Sequence, residues 1–162
     1  MKAEIRAVVI TVSDGCASGV REDLSGPVLV ETLEEMGATV VEKRVVSDEL
    51  ETLKETLKTF ALRDDVNLIV TTGGTGFGPR DNTPEATRAV IEKEAPGLAE
   101  AMRLETLKFT PMAMISRGIC GICSGTLIVN LPGSPKGARE SFAVIKPVMV
   151  HAVNLLAGYT AH

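Results

Sequence analysis

The chain has 162 residues, 44% hydrophobic and 23% charged, with 17 Lys and Arg against 21 Asp and Glu and a net charge of −4. That size fits one domain, residues 1–162, able to bury roughly two-thirds of its unfolded surface, and the ordinary composition excludes a disordered or low-complexity chain. Scattered cations, no Trp and one Tyr exclude a nucleic-acid partner, while the short apolar runs and the lack of a signal-peptide pattern predict a cytoplasmic protein with no membrane partner.

Ile5 to Val12 is a β-branched run that reads as a buried strand, delivering the turn-rich loop Ser13-Asp14-Gly15. From Pro27 to Met36 the positions Val28, Leu29, Leu33 and Met36 share one helical face, and Gly37 stops the helix. Thr39 to Val46 gives a second strand, and Leu50, Leu53, Leu57 and Phe60 repeat at helical spacing up to Leu62. Leu68 to Val70 is a third strand, running into the loop Thr71 to Asp81, which is too glycine-rich to be regular. Thr83-Pro84-Glu85 reads as a cap and first helical turn, with the helix extending to about Glu94. Pro96-Gly97 interrupts it, and a further helix covers about Leu98 to Leu107. Ala113 to Ile122 reads as extended, with bends or a hairpin at Gly118 and Gly121. Thr126 to Leu131 is a strand, followed by the loop Pro132 to Gly137 and a helix through Leu156 that Pro147 is expected to break or kink.

Alternating strands and helices predict an α/β fold: a mainly parallel sheet covered by helices on both faces. In such sheets ligands sit beyond the carboxyl ends of the strands. Four loops occupy that edge: Ser13 to Gly19, Ser47 to Glu49, Gly73 to Asp81, and Pro132 to Gly137.

The loop Gly73-Gly74-Thr75-Gly76 lets backbone N–H groups approach an anion with no Cβ in the way, and a phosphate is the natural guest. Neither common nucleotide fingerprint is present, since there is no GxxxxGK[ST] and the spacing Gly74-x-Gly76-x-Gly78 is not GxGxxG. Asp81 closes this loop, and a carboxylate beside a phosphate is repelled unless a cation intervenes, for which Mg²⁺ is suited. Alternatively, Asp81 forms an Asx-turn leading into Thr83. Asp48 has two readings as well. With Glu51 it makes a capping box in front of the next helix, or it faces Asp81 across the site as the second carboxylate for a divalent ion on polyphosphate.

Cys120-Gly121-Ile122-Cys123 raises a redox or zinc reading. Only Cys16, His151 and the terminal His162 remain to complete a metal site, and in an extended segment residues three apart face opposite ways. No GxSxG or other nucleophile motif appears, which argues against acyl transfer and peptidase chemistry.

Thr71-Thr72-Gly73-Gly74-Thr75-Gly76, Arg80-Asp81-x-Thr83-Pro84-Glu85-Ala86, Pro96-Gly97, Ser116-Arg117 and Leu131-Pro132-Gly133-Ser134-Pro135-Lys136 together resemble the molybdopterin-binding family. Thr11-Val12-Ser13-Asp14 and Val46-Ser47-Asp48-Glu49 extend the likeness over essentially the whole chain. Within that family the long Gly78 to Pro84 loop is similar to the adenylyltransferase branch, related to gephyrin G domains. The resemblance implies a three-layer α/β fold, usually a homotrimer, with ATP and molybdopterin as substrates and Mg²⁺ as cofactor. It implies Asp48 and Asp81 as the catalytic and Mg²⁺-binding carboxylates. Phosphates would lie on Gly73, Gly74, Thr75 and Gly76, with Ser13, Asp14, Ser116, Pro132, Gly133, Ser134 and Lys136 contacting the rest of the ligands. A molybdenum-insertion protein is the expected macromolecular partner. A non-catalytic molybdopterin-binding or scaffold protein of the sister branch stays open as the alternative.

Overall fold

A computed structural model of the chain describes residues 3–160. Six strands, β1 (Arg6–Val12), β2 (Thr39–Val46), β3 (Leu68–Thr72), β4 (Lys93–Glu94), β5 (Cys120–Cys123) and β6 (Thr126–Leu131), form one sheet in the order β2-β1-β3-β6-β5-β4. The pairs β1 with β2, β1 with β3 and β3 with β6 are parallel. β5 runs antiparallel to both β6 and β4.

The helices are α1 (Asp14–Ala17), α2 (Ser25–Glu35), α3 (Leu50–Ala61), α4 (Thr83–Val90), α5 (Pro96–Thr106) and α6 (Pro135–Leu156). Strand side chains alternate between two cores, as a sheet covered on both faces requires. Ala7, Val9, Leu68, Val70, Leu127 and Val129 pack with Leu29 and Leu33 of α2, Met102 of α5 and Phe142 and Ile145 of α6. Val8, Ile10, Ile69 and Ile128 pack on the opposite face with Leu53, Leu57 and Phe60 of α3 and Ala86 of α4. The expected three-layer α/β architecture is therefore observed.

Five local expectations differ from what forms. The loop after β1 contains the short helix α1, capped by the Ser13 hydroxyl accepting from the Cys16 N–H at 3.2 Å. The helix expected to reach Glu94 ends at Val90, because Ile91 turns extended and Lys93–Glu94 pairs with β5. The segment expected to be extended from Ala113 begins as a 3₁₀ turn, Pro111–Ile115, before β5. Its hairpin turn lies at Ser124-Gly125, where φ is 50° and 79°, rather than at Gly118 or Gly121. Gly121 instead lets β4 approach, since a Cβ there would meet Ile91 Cδ1 at 2.5 Å and the Lys93 carbonyl at 2.9 Å. α6 runs unbroken past Pro147, whose ring lies on the exposed side of the helix.

Candidate active site at the carboxyl edge of the sheet

β2 lies on one side of β1 and β3 on the other, so the chain reverses its progress across the sheet at β1 and β3. Loops leaving the carboxyl ends of two such strands diverge and open a crevice. The loop after β3 leaves along one wall. Gly73 sits at φ 101°, and a Cβ there would meet the Val12 carbonyl at 2.4 Å, so only glycine lets the loop pass β1 this closely. The Thr72 hydroxyl donates to the Pro132 carbonyl at 2.6 Å and the Gly73 N–H to the Leu131 carbonyl at 3.2 Å, which seats the loop after β6 alongside.

Asp48 follows β2 and does not cap α3. The residue at that N-cap is Glu49, with no side-chain cap bond, so the capping-box reading fails. Asp48 is laced to Asp14 instead. Its Oδ2 accepts from the Asp14 N–H at 2.9 Å, and its own N–H donates to Asp14 Oδ1 at 3.0 Å. The Asn82 amide donates to the Asp48 carbonyl at 2.9 Å, joining the loops after β2 and β3. Asp48 Oδ1 lies 3.3 Å from the position a Cβ on Gly74 would take, facing the glycine loop.

Asp81 does not turn forward into Thr83 either. Its Oδ2 accepts from the Gly78 N–H at 2.9 Å, so the carboxylate folds back over its own loop. A Cβ on Gly76 or Gly78 would come within 2.9 Å of that oxygen, so a side chain at either position would displace the Asp81 carboxylate. Thr83, expected as a cap, is the first residue of α4, and its hydroxyl donates to the Gly73 carbonyl at 2.9 Å.

Burial raises the Asp48 carboxyl above the ordinary value, and the negative charges of Asp14 and Asp81 add to the rise. Asp14 is held low by Arg80, whose Nε and Nη2 grip its two oxygens at 2.9 and 3.0 Å. The donors are oxygens of the kind Mg²⁺ prefers. No three His, Cys, Asp or Glu side chains converge as a ready-made metal site among the described residues. Asp48 and Asp81 suit an ion that takes its remaining ligands from substrate phosphates and water.

Two cavities meet at the glycine loop. One, of about 520 Å³, is lined by Ser13, Asp48, Gly73, Gly74, Asp81 and Gly133. The other, of about 350 Å³, is largely apolar, with Met102, Met112, Ala113 and Ile115 beside Thr75 and Ser116. Ser134 borders both, Pro132 borders the apolar one, and the Ser134 hydroxyl caps α6 by accepting from the Gly137 N–H at 3.0 Å. Lys136 borders neither. Its side chain is 85% exposed and lies 3.9 Å from Glu140.

Arg117, Asn130 and Asp23 are among the site residues to which the sequence reading gave no role. Arg117 reaches the Gly76 and Asp81 carbonyls at 2.7 and 2.8 Å and pairs with Glu85 at 2.8 Å. Asn130 donates to the hydroxyls of Thr71 and Thr87 at 3.1 and 3.0 Å behind the apolar cavity. Asp23, on the polar cavity, accepts from Thr11 and from the Gly26 N–H, both at 2.9 Å, and pairs with Lys43 at 3.0 Å. Burial pushes the Asp23 carboxyl up, but these bonds together outweigh it and hold the group low. Only the Ser116-Arg117 motif gave any signal, and it carried no role.

Cys16 of α1 lines the polar cavity, and the other two thiols stand apart from it. Cys120 belongs to one core and Cys123 to the other, and burial raises both, Cys120 to about 12. Neither is a reactive thiolate. His151 is exposed on α6, and His162 lies outside the described residues.

The fold defines a three-layer α/β protein, and the paired cavities make the switch point of the sheet its candidate ligand region. A family model described as "Probable molybdopterin binding domain" matches residues 8–151, and the chain belongs to this molybdopterin-binding family. It is 46% identical over 149 residues to the molybdenum cofactor synthesis protein cinnamon of Drosophila melanogaster, a match covering 91% of this chain and 25% of that protein. The chain therefore spans about a quarter of that relative's length. It is 41% identical over 152 residues to the molybdopterin adenylyltransferase of Helicobacter pylori, covering 93% of this chain and 86% of that one. Among solved structures, the molybdopterin biosynthesis enzyme MoaB of Thermus thermophilus superposes with a TM-score of 0.90 at 47% identity, covering 95% and 97% of the two chains.

Proposed function

We propose that the protein is a molybdopterin adenylyltransferase of molybdenum cofactor biosynthesis, a nucleotidyltransferase that moves AMP from ATP to the terminal phosphate of molybdopterin. The observation that carries this reading is the junction of the two cavities. A polar one holding Asp48 and Asp81 suits phosphates with a cation, an apolar one suits a flat ring system, and the Gly73 to Gly76 loop lies between them. The naming of relatives such as the Helicobacter pylori enzyme supports the same activity.

In this mechanism an oxygen of the molybdopterin phosphate attacks the α-phosphorus of ATP. A new P–O bond forms, the bond to the bridging α–β oxygen breaks, and its electron pair leaves with pyrophosphate. The attacking phosphate is already anionic, so no general base is needed. The chain contributes alignment and charge stabilisation. Asp48 and Asp81 would hold Mg²⁺, which neutralises crowded phosphates when bound. Gly74 and the Gly133 to Ser134 turn offer backbone N–H groups close to the polar cavity, the Gly73 N–H being taken by the Leu131 carbonyl, and the hydroxyls of Ser13 and Ser134 keep their protons free to donate. Ser116 and Thr75 would position the substrate in the apolar cavity, while the solvent-facing Lys136 gives only long-range positive charge.

The reading includes a cytoplasmic homotrimer that passes adenylyl-molybdopterin to a molybdenum-insertion protein. Its test is pyrophosphate release from Mg-ATP, which is expected only when molybdopterin is present. A folded protein that binds molybdopterin tightly and releases none would instead be a non-catalytic binding module.

A further inference from the structure

We propose that Arg117 is a positioning residue: its guanidinium fixes the loop that carries Asp81 and ties that loop to the wall of the apolar cavity. The inference rests on the adenylyltransferase reading for its kinetic consequence, but not for its structural one.

The loop has little geometry of its own. Four of the six residues from Gly73 to Gly78 are glycine, which leaves the unfolded loop many conformations to lose. Between Gly76 and Asp81 it is closed by two internal bonds, both between Gly78 and Asp81: the Gly78 N–H to Asp81 Oδ2 and the Asp81 N–H to the Gly78 carbonyl. Two braces tie it to its surroundings: the exposed Arg80 side chain reaches out to Asp14, and Arg117 reaches in to grip the loop's backbone. The Arg117 Nε donates to the Gly76 carbonyl at 2.7 Å and its Nη2 to the Asp81 carbonyl at 2.8 Å, so one planar group grips both ends of the segment. Glu85, in the first turn of α4, accepts from Nη1 at 2.8 Å and from Nη2 at 3.0 Å, fixing the plane of the fork.

The brace continues into the other cavity. The Arg117 N–H donates to the Thr75 carbonyl at 2.8 Å. Its neighbours Ser116 and Gly118 line the apolar cavity, and Arg103 of α5, also on that lining, donates to the Gly118 carbonyl at 2.7 Å. A molecule pressing on α5 or Ser116 therefore bears on Asp81 through Arg117. The pair with Glu85 is partly exposed, with side chains 36% and 45% accessible, and pairs of that kind contribute little stability. Lys cannot take over, because a single ammonium has no rigid fork to reach the Gly76 carbonyl, the Asp81 carbonyl and Glu85 together.

The test uses the full chain carrying Arg117→Lys, with hydrogen exchange read at the Gly78 and Asp81 amides before any substrate is added. Faster exchange at these two amides, with the strand amides as protected as in the parent, is the expected result. Pyrophosphate release by the same variant should fall about a hundredfold in kcat, the scale of a small misalignment, with KM for ATP nearly unchanged. Parental exchange at Gly78 and Asp81 would overturn the proposal, as would protection lost evenly across the sheet. If the parent releases no pyrophosphate yet the loop amides lose protection in the variant, the positioning role stands and the adenylyltransferase reading fails.

Discussion

Asp48 is a half-buried carboxylate placed between Asp14 and Asp81, and such a group costs the folded protein stability whenever it is charged. Its pKa is raised on folding, so the cost is absent below the ordinary carboxylate value of 3.8 and complete above the elevated folded value. Asp48→Asn keeps an oxygen to accept from the Asp14 N–H and removes the charge. The variant should melt no lower than the parent at neutral pH, and any advantage should vanish as the pH falls through the Asp48 titration. Pyrophosphate release should drop by about a hundredfold or more, because the proposed Mg²⁺ would lose a ligand. A variant that melts well below the parent at neutral pH would show that Asp48 serves the fold instead. The sequence pointed to Asp48 and Asp81 through their place at the sheet edge, and it left open what holds them. Local spacing offered a capping box for Asp48 and an Asx-turn for Asp81 as alternatives to the paired-carboxylate reading, whereas bonds between loops far apart in sequence, Asp14 with Asp48 and Asn82 with Asp48, replace the capping box. Periodicity carries no information about such crossings, and for the same reason it gave Arg117 no role.

Elements with strong internal patterns were legible. β1, β3 and β6 are buried on both faces, so their apolar runs speak for themselves, and the amphipathic spacing of α3 is as plain. β4 is two exposed residues whose strand character comes from its neighbour β5, and α1 is four residues held by a cap, so neither has a pattern to read. Pro147 is the instructive error. A proline removes one helical hydrogen bond and crowds the preceding turn, yet α6 is held to the sheet by Phe142, Ile145, Met149 and Val153 on either side of it. Packing of that stripe outweighs the local defect. Pro147→Ala restores an N–H to face the Ala143 carbonyl and should raise stability by about 1–3 kcal/mol, read as a higher melting temperature. A lower melting temperature would mean that the proline's fixed backbone matters more than the missing bond.

For the whole molecule, the sheet order decides the function, because it brings the loops after β1, β2, β3 and β6 to one edge. No helix among the described residues is long and apolar enough to cross a membrane. Leu104, Phe109, Met112 and Met114 are each more than 60% exposed beside the apolar cavity, surface that the proposed homotrimer could cover. Light scattering should then give three times the chain mass, and a monomer at micromolar concentration would remove the trimer from the account. The most direct test of the central claim is pyrophosphate release from Mg-ATP and molybdopterin, measured for the parent and for Asp81→Asn side by side. The account predicts release by the parent that requires molybdopterin and is lost in the variant while the fold persists. Equal release by both, or none from a folded parent that binds molybdopterin, would contradict it.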